Sequence, residues 1–271
     1  MRNNYKGKVV IVTGSRQGIG KSIAWTYATM GANVVLNARN ASKLDTTQKE
    51  FEAAGFNSIA VAGDVSDWAF CQDMCKKAAE HFGSVDILIT NAAIATRGNM
   101  ENLSPEIYQK MINVNILGSV YPAKAAIPYL KESKGSVLFI SSIASFYGIP
   151  FNGIYSATKN AINSIAEATS NELNPHGVFV GLTYVGFTEN EETKQILDTD
   201  GKVVTLPQRN NVKKQSRNAV AHAIITQIDK KKFKKTLTSS GKVLRLLSRF
   251  TPGLIHFIYK TNLKKIELSS K

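Results

Sequence analysis

A phenol is useful for moving protons near neutral pH when a cation sits beside it. The cation stabilises the phenolate and so lowers a pKa that is otherwise about 10. The segment Tyr155-Ser156-Ala157-Thr158-Lys159 offers that pair, because residues four apart share one face of a helix. The spacing alone is common on surface helices, so its meaning rests on its surroundings. Ser141-Ser142 ends the apolar run Val137 to Ile140. In an open parallel sheet the carboxyl ends of strands meet at the ligand crevice, where a serine hydroxyl can donate to a carbonyl oxygen. Asn115, in Asn113-Val114-Asn115, adds a polar group on a helical stretch. Asn115, Ser142, Tyr155 and Lys159 are therefore the catalytic candidates, and the chemistry they suit is proton transfer at a carbonyl or alcohol.

A second cluster suits a phosphorylated ligand. Thr13-Gly14-Ser15-Arg16-Gln17-Gly18-Ile19-Gly20 joins an apolar run, Val9 to Val12, to a helical pattern. Glycines let the backbone approach a ligand closely, and a helix N-terminus presents free N–H groups to a pyrophosphate. The spacing is G-x-x-x-G-x-G rather than the commoner G-x-G-x-x-G. At the end of the next strand stands Asn37-Ala38-Arg39-Asn40, with no acid to bind a ribose 2′-hydroxyl. Arg39, assisted by Arg16, can instead pair with a 2′-phosphate, which points to NADP(H).

The elements needed to position these groups alternate along the chain. Strands are expected at Val9 to Val12, Asn33 to Leu36, Ser58 to Ala62, Val85 to Thr90, Ser136 to Ile140 and Val178 to Tyr184. Helices are expected at about Gly18 to Met30, Ser42 to Ala54 with Ser42 as N-cap, Asp67 to Phe82, Pro105 to Leu130, Tyr155 to Leu173 and Asn218 to Lys230. Apolar strands separated by helices predict an α/β fold with a doubly wound parallel sheet. Glu189 to Asn211 is polar and aperiodic, and reads as a loop or lid over the substrate. Its Ile196, Leu197, Val203, Val204 and Leu206 either meet a partly apolar substrate or anchor the loop.

Taken in order, Thr13-Gly14-x-x-x-Gly18-Ile19-Gly20, Asp64-Val65, Asn91-Ala92-Ala93, Asn115, Ser142 and Tyr155-x-x-x-Lys159 resemble the motif set of the short-chain dehydrogenase/reductase family. The resemblance covers roughly residues 6 to 190 and implies a Rossmann-type sheet. It implies Tyr155 as general acid or base, and Lys159 lowering the Tyr155 pKa and bonding the nicotinamide ribose. It implies Ser142 polarising the carbonyl and Asn115 holding a relay water. Asp64 and Val65 would flank the adenine, and Asn91 and Ala92 would lie beside the nucleotide. Two departures stand out. Ile94 occupies a position where the family often has Gly, and Val185-Gly186 replaces Pro-Gly. The latter leaves Thr188 and Asn190 as candidates for the carboxamide contact.

Charge is unevenly distributed. Residues 202–271 hold 17 Lys/Arg and two acids, whereas residues 1–201 hold 17 Lys/Arg and 18 acids. The expected organisation is a catalytic domain over 1–240 and a basic amphipathic extension over 241–271, loosely similar to hydroxysteroid-dehydrogenase-like members. Such an extension suits peripheral contact with a membrane or with a second subunit. No apolar run is long enough to span a bilayer, and the N-terminus lacks a signal pattern, so a cytoplasmic location is expected. Cys71 and Cys75 lack further partners for a metal site and read as ordinary helix thiols. Charge without a recognition motif argues against nucleic acid as partner.

Three functions compete: a reductase for a lipophilic ketone, steroid-like or long-chain; a 3-oxoacyl carrier-protein reductase; and an NADPH-binding sensor or scaffold. The resemblance further implies a homo-oligomer, dimer or tetramer.

Overall fold

The computed structural model describes residues 5–189, 195–206 and 214–268. Among the described residues nine strands appear in chain order: β1 (Val9–Val12), β2 (Asn33–Ala38), β3 (Ser58–Ala62), β4 (Ile87–Thr90), β5 (Ser136–Ser142), β6 (Phe179–Val185), β7 (Gln195–Leu197), β8 (Val203–Thr205) and β9 (Lys234–Thr236). The helices that cover and connect them are α1 (Gly18–Thr29), α2 (Ala41–Ala53), α3 (Trp68–Phe82), α4 (Pro105–Met111), α5 (Gly118–Ser133), α6 (Gly153–Leu173) and α7 (Arg217–Asp229). Three more, α8 (Ser239–Phe250), α9 (Pro252–Thr261) and α10 (Leu263–Leu268), complete the described chain.

Seven strands form one parallel sheet in the order β3-β2-β1-β4-β5-β6-β9. The inner strand β1 is buried at all four positions, and its side chains alternate between two cores. Val9 and Ile11 meet Met74 of α3, Ala126 of α5 and Ile162 of α6. Val10 and Val12 meet Tyr27 of α1, Leu44 of α2 and Ile224 of α7. This two-sided cover is what near-continuous apolar strands require.

The structure departs from the sequence pattern in four places. Helix α2 begins at Ala41, and its cap is Asn40 rather than Ser42. The Asn40 side chain accepts the Lys43 N–H at 2.9 Å, while the Ser42 hydroxyl merely donates to Asn40 at 3.0 Å. The expected long helix from Pro105 is interrupted by a π-helical turn, Ile112–Leu117. The segment taken as a loop contains an antiparallel hairpin, β7–β8. Lys234-Lys235-Thr236, which reads only as charge, forms the seventh strand against β6.

Both cysteines lie inside one core, and burial pushes each thiol up to about 12. The reactive thiolate is therefore scarce at neutral pH. At about pH 8, Ellman's reagent is expected to label neither thiol in the folded protein and both after urea unfolding. Rapid labelling before unfolding would contradict this packing.

Candidate active site

Every strand of the large sheet points the same way, so the residues that follow β1, β4, β5 and β6 emerge along one edge. The turn after β1 is tied to its neighbours there. The buried Thr13 hydroxyl oxygen accepts the N–H groups of Asn91 at 3.0 Å and Ala92 at 3.1 Å. The Asn91 carboxamide returns two bonds, to the carbonyls of Thr13 at 2.9 Å and Gly14 at 3.0 Å. Ser15 exchanges hydrogen bonds with Asn37, and the Asn37 carboxamide continues to the Val61 carbonyl at 3.0 Å. The turn is thus joined to β4, β2 and β3. Asn37 was not singled out by sequence reasoning, although a polar residue inside an apolar strand was a usable signal.

Gly14 has φ of +64°, and a Cβ there would stand 2.8 Å from the Ala92 Cα. A Cβ on Gly20 would stand 2.4 Å from both the Asn91 carboxamide nitrogen and the Gly14 carbonyl oxygen. Gly18 and Ile19 open α1, and the Arg16 carbonyl accepts the Thr47 hydroxyl of α2 at 3.0 Å. A tight glycine cradle at the start of a helix fits a pyrophosphate. Further along the edge, the exposed Arg39 guanidinium lies 3.8 Å from the Asp64 carboxylate. Asp64 also accepts the N–H and hydroxyl of Ser66, while buried Val65 packs against Gly118.

The acid–base candidates assemble where β5 meets α6. Lys159 is buried, and its ammonium donates to the Ile140 carbonyl at 2.9 Å. Burial lowers its pKa to about 8. The ammonium lies 6.0 Å from the Tyr155 ring centroid and makes no hydrogen bond to the Tyr155 hydroxyl. Burial holds the Tyr155 pKa above the ordinary phenol value, and the nearby Ser142 hydroxyl offsets part of that rise. The expected acidification of Tyr155 by Lys159 is therefore not realised here, because the ammonium is turned to the Ile140 carbonyl. Ser142 accepts the Ala144 N–H at 3.1 Å, which aims it over the start of a 3₁₀ turn, Ile143–Ser145.

Asn115 sits in the π-helical turn and is fully buried. Its carboxamide accepts the Ile94 N–H at 2.8 Å and donates to the Ile94 carbonyl at 3.0 Å and the Thr158 hydroxyl at 3.1 Å. Thr158 in turn donates to the Tyr155 carbonyl. Asn115 thus locks the loop after β4 to the helix that carries Tyr155 and Lys159. Such turns insert one extra residue and are frequent at functional sites. Neither Thr158 nor this use of Ile94 was visible in the sequence, since both depend on contacts between distant segments. The Ile94 side chain, standing where a Gly was expected, joins Leu103, Ile107, Met111 and Ile154 in a small apolar cluster with Tyr155.

The hairpin β7–β8 closes over the same region. Leu197 donates to the Ala95 carbonyl at 2.9 Å, and the Thr96 hydroxyl donates to the Leu197 carbonyl at 2.9 Å. Ile196 and Leu197 are buried anchors, whereas Val203 and Val204 remain exposed. Thr188 is buried, pairs with Gln215 and donates its hydroxyl to the Gly186 carbonyl at 3.3 Å. Asn190 lies outside the described residues.

With this geometry in place, comparison with known proteins identifies the family. The sequence pattern of the short chain dehydrogenase family matches residues 8–201. The chain belongs to that family. Its members are oxidoreductases that interconvert alcohols and carbonyls with a nicotinamide nucleotide. The chain is 36% identical over 202 residues to the 3-ketodihydrosphingosine reductase of Bos taurus, an alignment that spans 70% of this chain and 61% of that protein's length. It is 34% identical over 256 residues to an 11-beta-hydroxysteroid dehydrogenase-like protein, 4A, of Arabidopsis thaliana, covering 92% of this chain and 82% of the relative. An alcohol dehydrogenase from Thermococcus sibiricus, solved with 5-hydroxy-NADP, superposes with a TM-score of 0.70 at 26% identity, over 84% of this chain and 95% of the other.

The glycine cradle gives a direct check. Gly20→Ala forces a methyl group against the Asn91 carboxamide and the Gly14 carbonyl. Overpacking of this kind costs about 1–3 kcal/mol. Thermal unfolding should show a lower midpoint, and fluorescence titration should show weaker nucleotide binding. Unaltered binding and midpoint would mean that the cradle is not as tight as described.

Proposed function

We propose that this enzyme reduces a lipophilic ketone, or oxidises the corresponding secondary alcohol, using NADP(H), with Tyr155 as the proton donor and acceptor. One observation carries the reading. Tyr155 is partly open to solvent, with Ser142 beside its hydroxyl and the buried Lys159 ammonium behind its ring. The hydroxyl carries its proton in this arrangement, as a general acid must, and an ammonium brought up to it would ease release of that proton.

When bound, the nucleotide supplies or accepts the hydride. The residues that would hold it are Thr13, Gly14, Ser15, Arg16, Gly18, Ile19 and Gly20 at the pyrophosphate, Asp64 and Val65 near the adenine, and Asn91 and Ala92 beside the nucleotide. Lys159 would bond the nicotinamide ribose, and Thr188 the carboxamide. The preference for NADP(H) is supported by Arg39 at the end of β2 and by the lack of an acid in Asn37–Asn40. A 2′-phosphate would compete with Asp64 for the Arg39 guanidinium, which is held only at 3.8 Å and is largely solvated.

In reduction, Ser142 donates to the substrate oxygen and stabilises charge developing there. Tyr155 releases its proton to that oxygen. Lys159 stabilises the resulting phenolate, which requires its ammonium to shift from Ile140 toward the Tyr155 oxygen. Asn115 acts by position, fixing α6 and the loop after β4 to one another.

Three features favour a lipophilic substrate. An apolar cluster of Ile94, Leu103, Ile107, Met111 and Ile154 borders Tyr155 on one side. The bovine relative is named as a reductase of 3-ketodihydrosphingosine, and the Arabidopsis relative as 11-beta-hydroxysteroid dehydrogenase-like. Steroid and long-chain ketones therefore head the panel to be assayed for NADPH oxidation. A carrier-protein 3-oxoacyl thioester is the contrasting substrate, and exclusive turnover of it would replace this reading. We also take the chain to act as a dimer or tetramer, which sedimentation velocity tests directly.

Tyr155→Phe removes the transferable proton and should lower kcat by about 10²–10⁴-fold while leaving NADPH affinity nearly unchanged. Retained turnover would reject Tyr155 as the acid. Arg39→Asp should raise the Kd for NADPH by about tenfold or more, because it replaces a charge-assisted phosphate contact with repulsion. NADH binding should change little. Equal losses for both nucleotides would reject the assigned role of Arg39.

A further inference from the structure

Helix α8 carries Val243, Leu246 and Phe250, spaced three and four apart, and all three are exposed, Phe250 at 71%. Helix α9 carries Leu254, Phe257 and Ile258 at the same kind of spacing, again exposed, Phe257 at 62%. An apolar stripe at helical period ordinarily faces a core. Here the core-facing positions are other residues. Gly241 packs against Ile143, Ile255 is buried, and the Tyr259 ring lies 5.7 Å from that of Tyr147. The two helices are thus anchored to the protein on one side and present apolar stripes on the other.

We infer that the exposed α8–α9 face is a docking surface for an anionic lipid bilayer, with the helices lying in the plane of the interface. Charge selects this occupant. Residues 239–268 contain six Lys/Arg and one acid. A second copy would bring the same positive charge against itself. An anionic headgroup layer neutralises the charge while its acyl boundary accepts the large apolar side chains. Arg249 lies over the Phe250 ring, with its guanidinium carbon 5.9 Å from the ring centroid, which places a cation beside the most exposed aromatic group. With twelve residues in α8 and ten in α9, neither helix is long enough to cross a bilayer.

The location gives the surface a use. Helix α8 packs through Gly241 on Ile143, the residue after Ser142, and α9 packs on Tyr147 in the same segment. Docking would hold the edge of the catalytic site next to the bilayer, so that a lipid-soluble ketone could enter without crossing water. This use rests on the proposed substrate class. The docking itself does not, and its test reads vesicle binding rather than turnover.

The full chain is sedimented with phosphatidylcholine vesicles and with vesicles containing about one third phosphatidylserine. It should partition into the anionic vesicles about tenfold or more over the neutral ones, and added salt should weaken that preference. Phe250→Ser combined with Phe257→Ser should reduce anionic-vesicle binding by about tenfold, because it removes the apolar contact. Lys242→Glu combined with Arg249→Glu should do the same by reversing charge. Both variants change exposed side chains, so thermal midpoint and NADPH oxidation with a water-soluble ketone should stay near the parent's. Equal binding to both vesicle types, or binding insensitive to both double variants, would overturn the inference. So would a Phe250→Ser/Phe257→Ser protein that loses a dimer while the parent shows no vesicle binding, since the face would then belong to a second copy.

Discussion

Lys159 brings an ammonium into the interior where β5 meets α6, and there it donates to the Ile140 carbonyl. A buried charge is costly unless hydrogen-bonded, and the depressed pKa of this group is the measure of that cost. Placing it requires a helix and a strand end at fixed separation. That separation is set by Ser141, whose hydroxyl oxygen lies 2.9 Å from both the Lys159 carbonyl oxygen and the Asn163 side-chain oxygen, with its one proton available to either. The site therefore depends on α6 being seated on β5, and less on the spacing within α6 itself.

A second seat holds the other side of α6. The π-helical turn rotates Asn115 inward, where it bonds both backbone groups of Ile94 and the Thr158 hydroxyl. A continuous α-helix through this stretch would place later residues on a different face. One irregular turn thus connects the loop after β4, the helix bearing the phenol, and the apolar cluster that borders it. The glycine turn is fixed in the same manner, by Thr13, Asn91 and Asn37 across three strands. Both halves of the site are organised by side chains bonding to backbone, which positions groups without burying unpaired polar atoms.

The tail follows a different logic. The body of the enzyme buries its apolar stripes on both sides of the sheet, while α8 and α9 leave theirs in the open beside positive charge. The net positive charge is concentrated after residue 201, well before α8 begins at Ser239, so it is shared by the end of the body and the tail. The two helices are nonetheless physically connected to the site, because α8 and α9 rest on the segment that follows Ser142.

Much of this was legible in the sequence because it is governed by local rules. Apolar runs marked six of the seven parallel strands, Gly-rich spacing marked the turn after β1, and the Tyr155-x-x-x-Lys159 interval marked a shared helix face. The family followed from the order of such motifs. What tertiary structure alone decided are the features made by contacts between distant segments. They are the direction of the Lys159 ammonium, the inward turn of Asn115, the hairpin clamped by Thr96 and Leu197, and the strand formed by two lysines and a threonine at the sheet edge. Edge pairing can recruit a charged segment because its backbone, not its side chains, supplies the hydrogen bonds. Local pattern specifies what a segment prefers to be, whereas a buried hydrogen bond between residues far apart in the chain is chosen only when the whole fold brings them together.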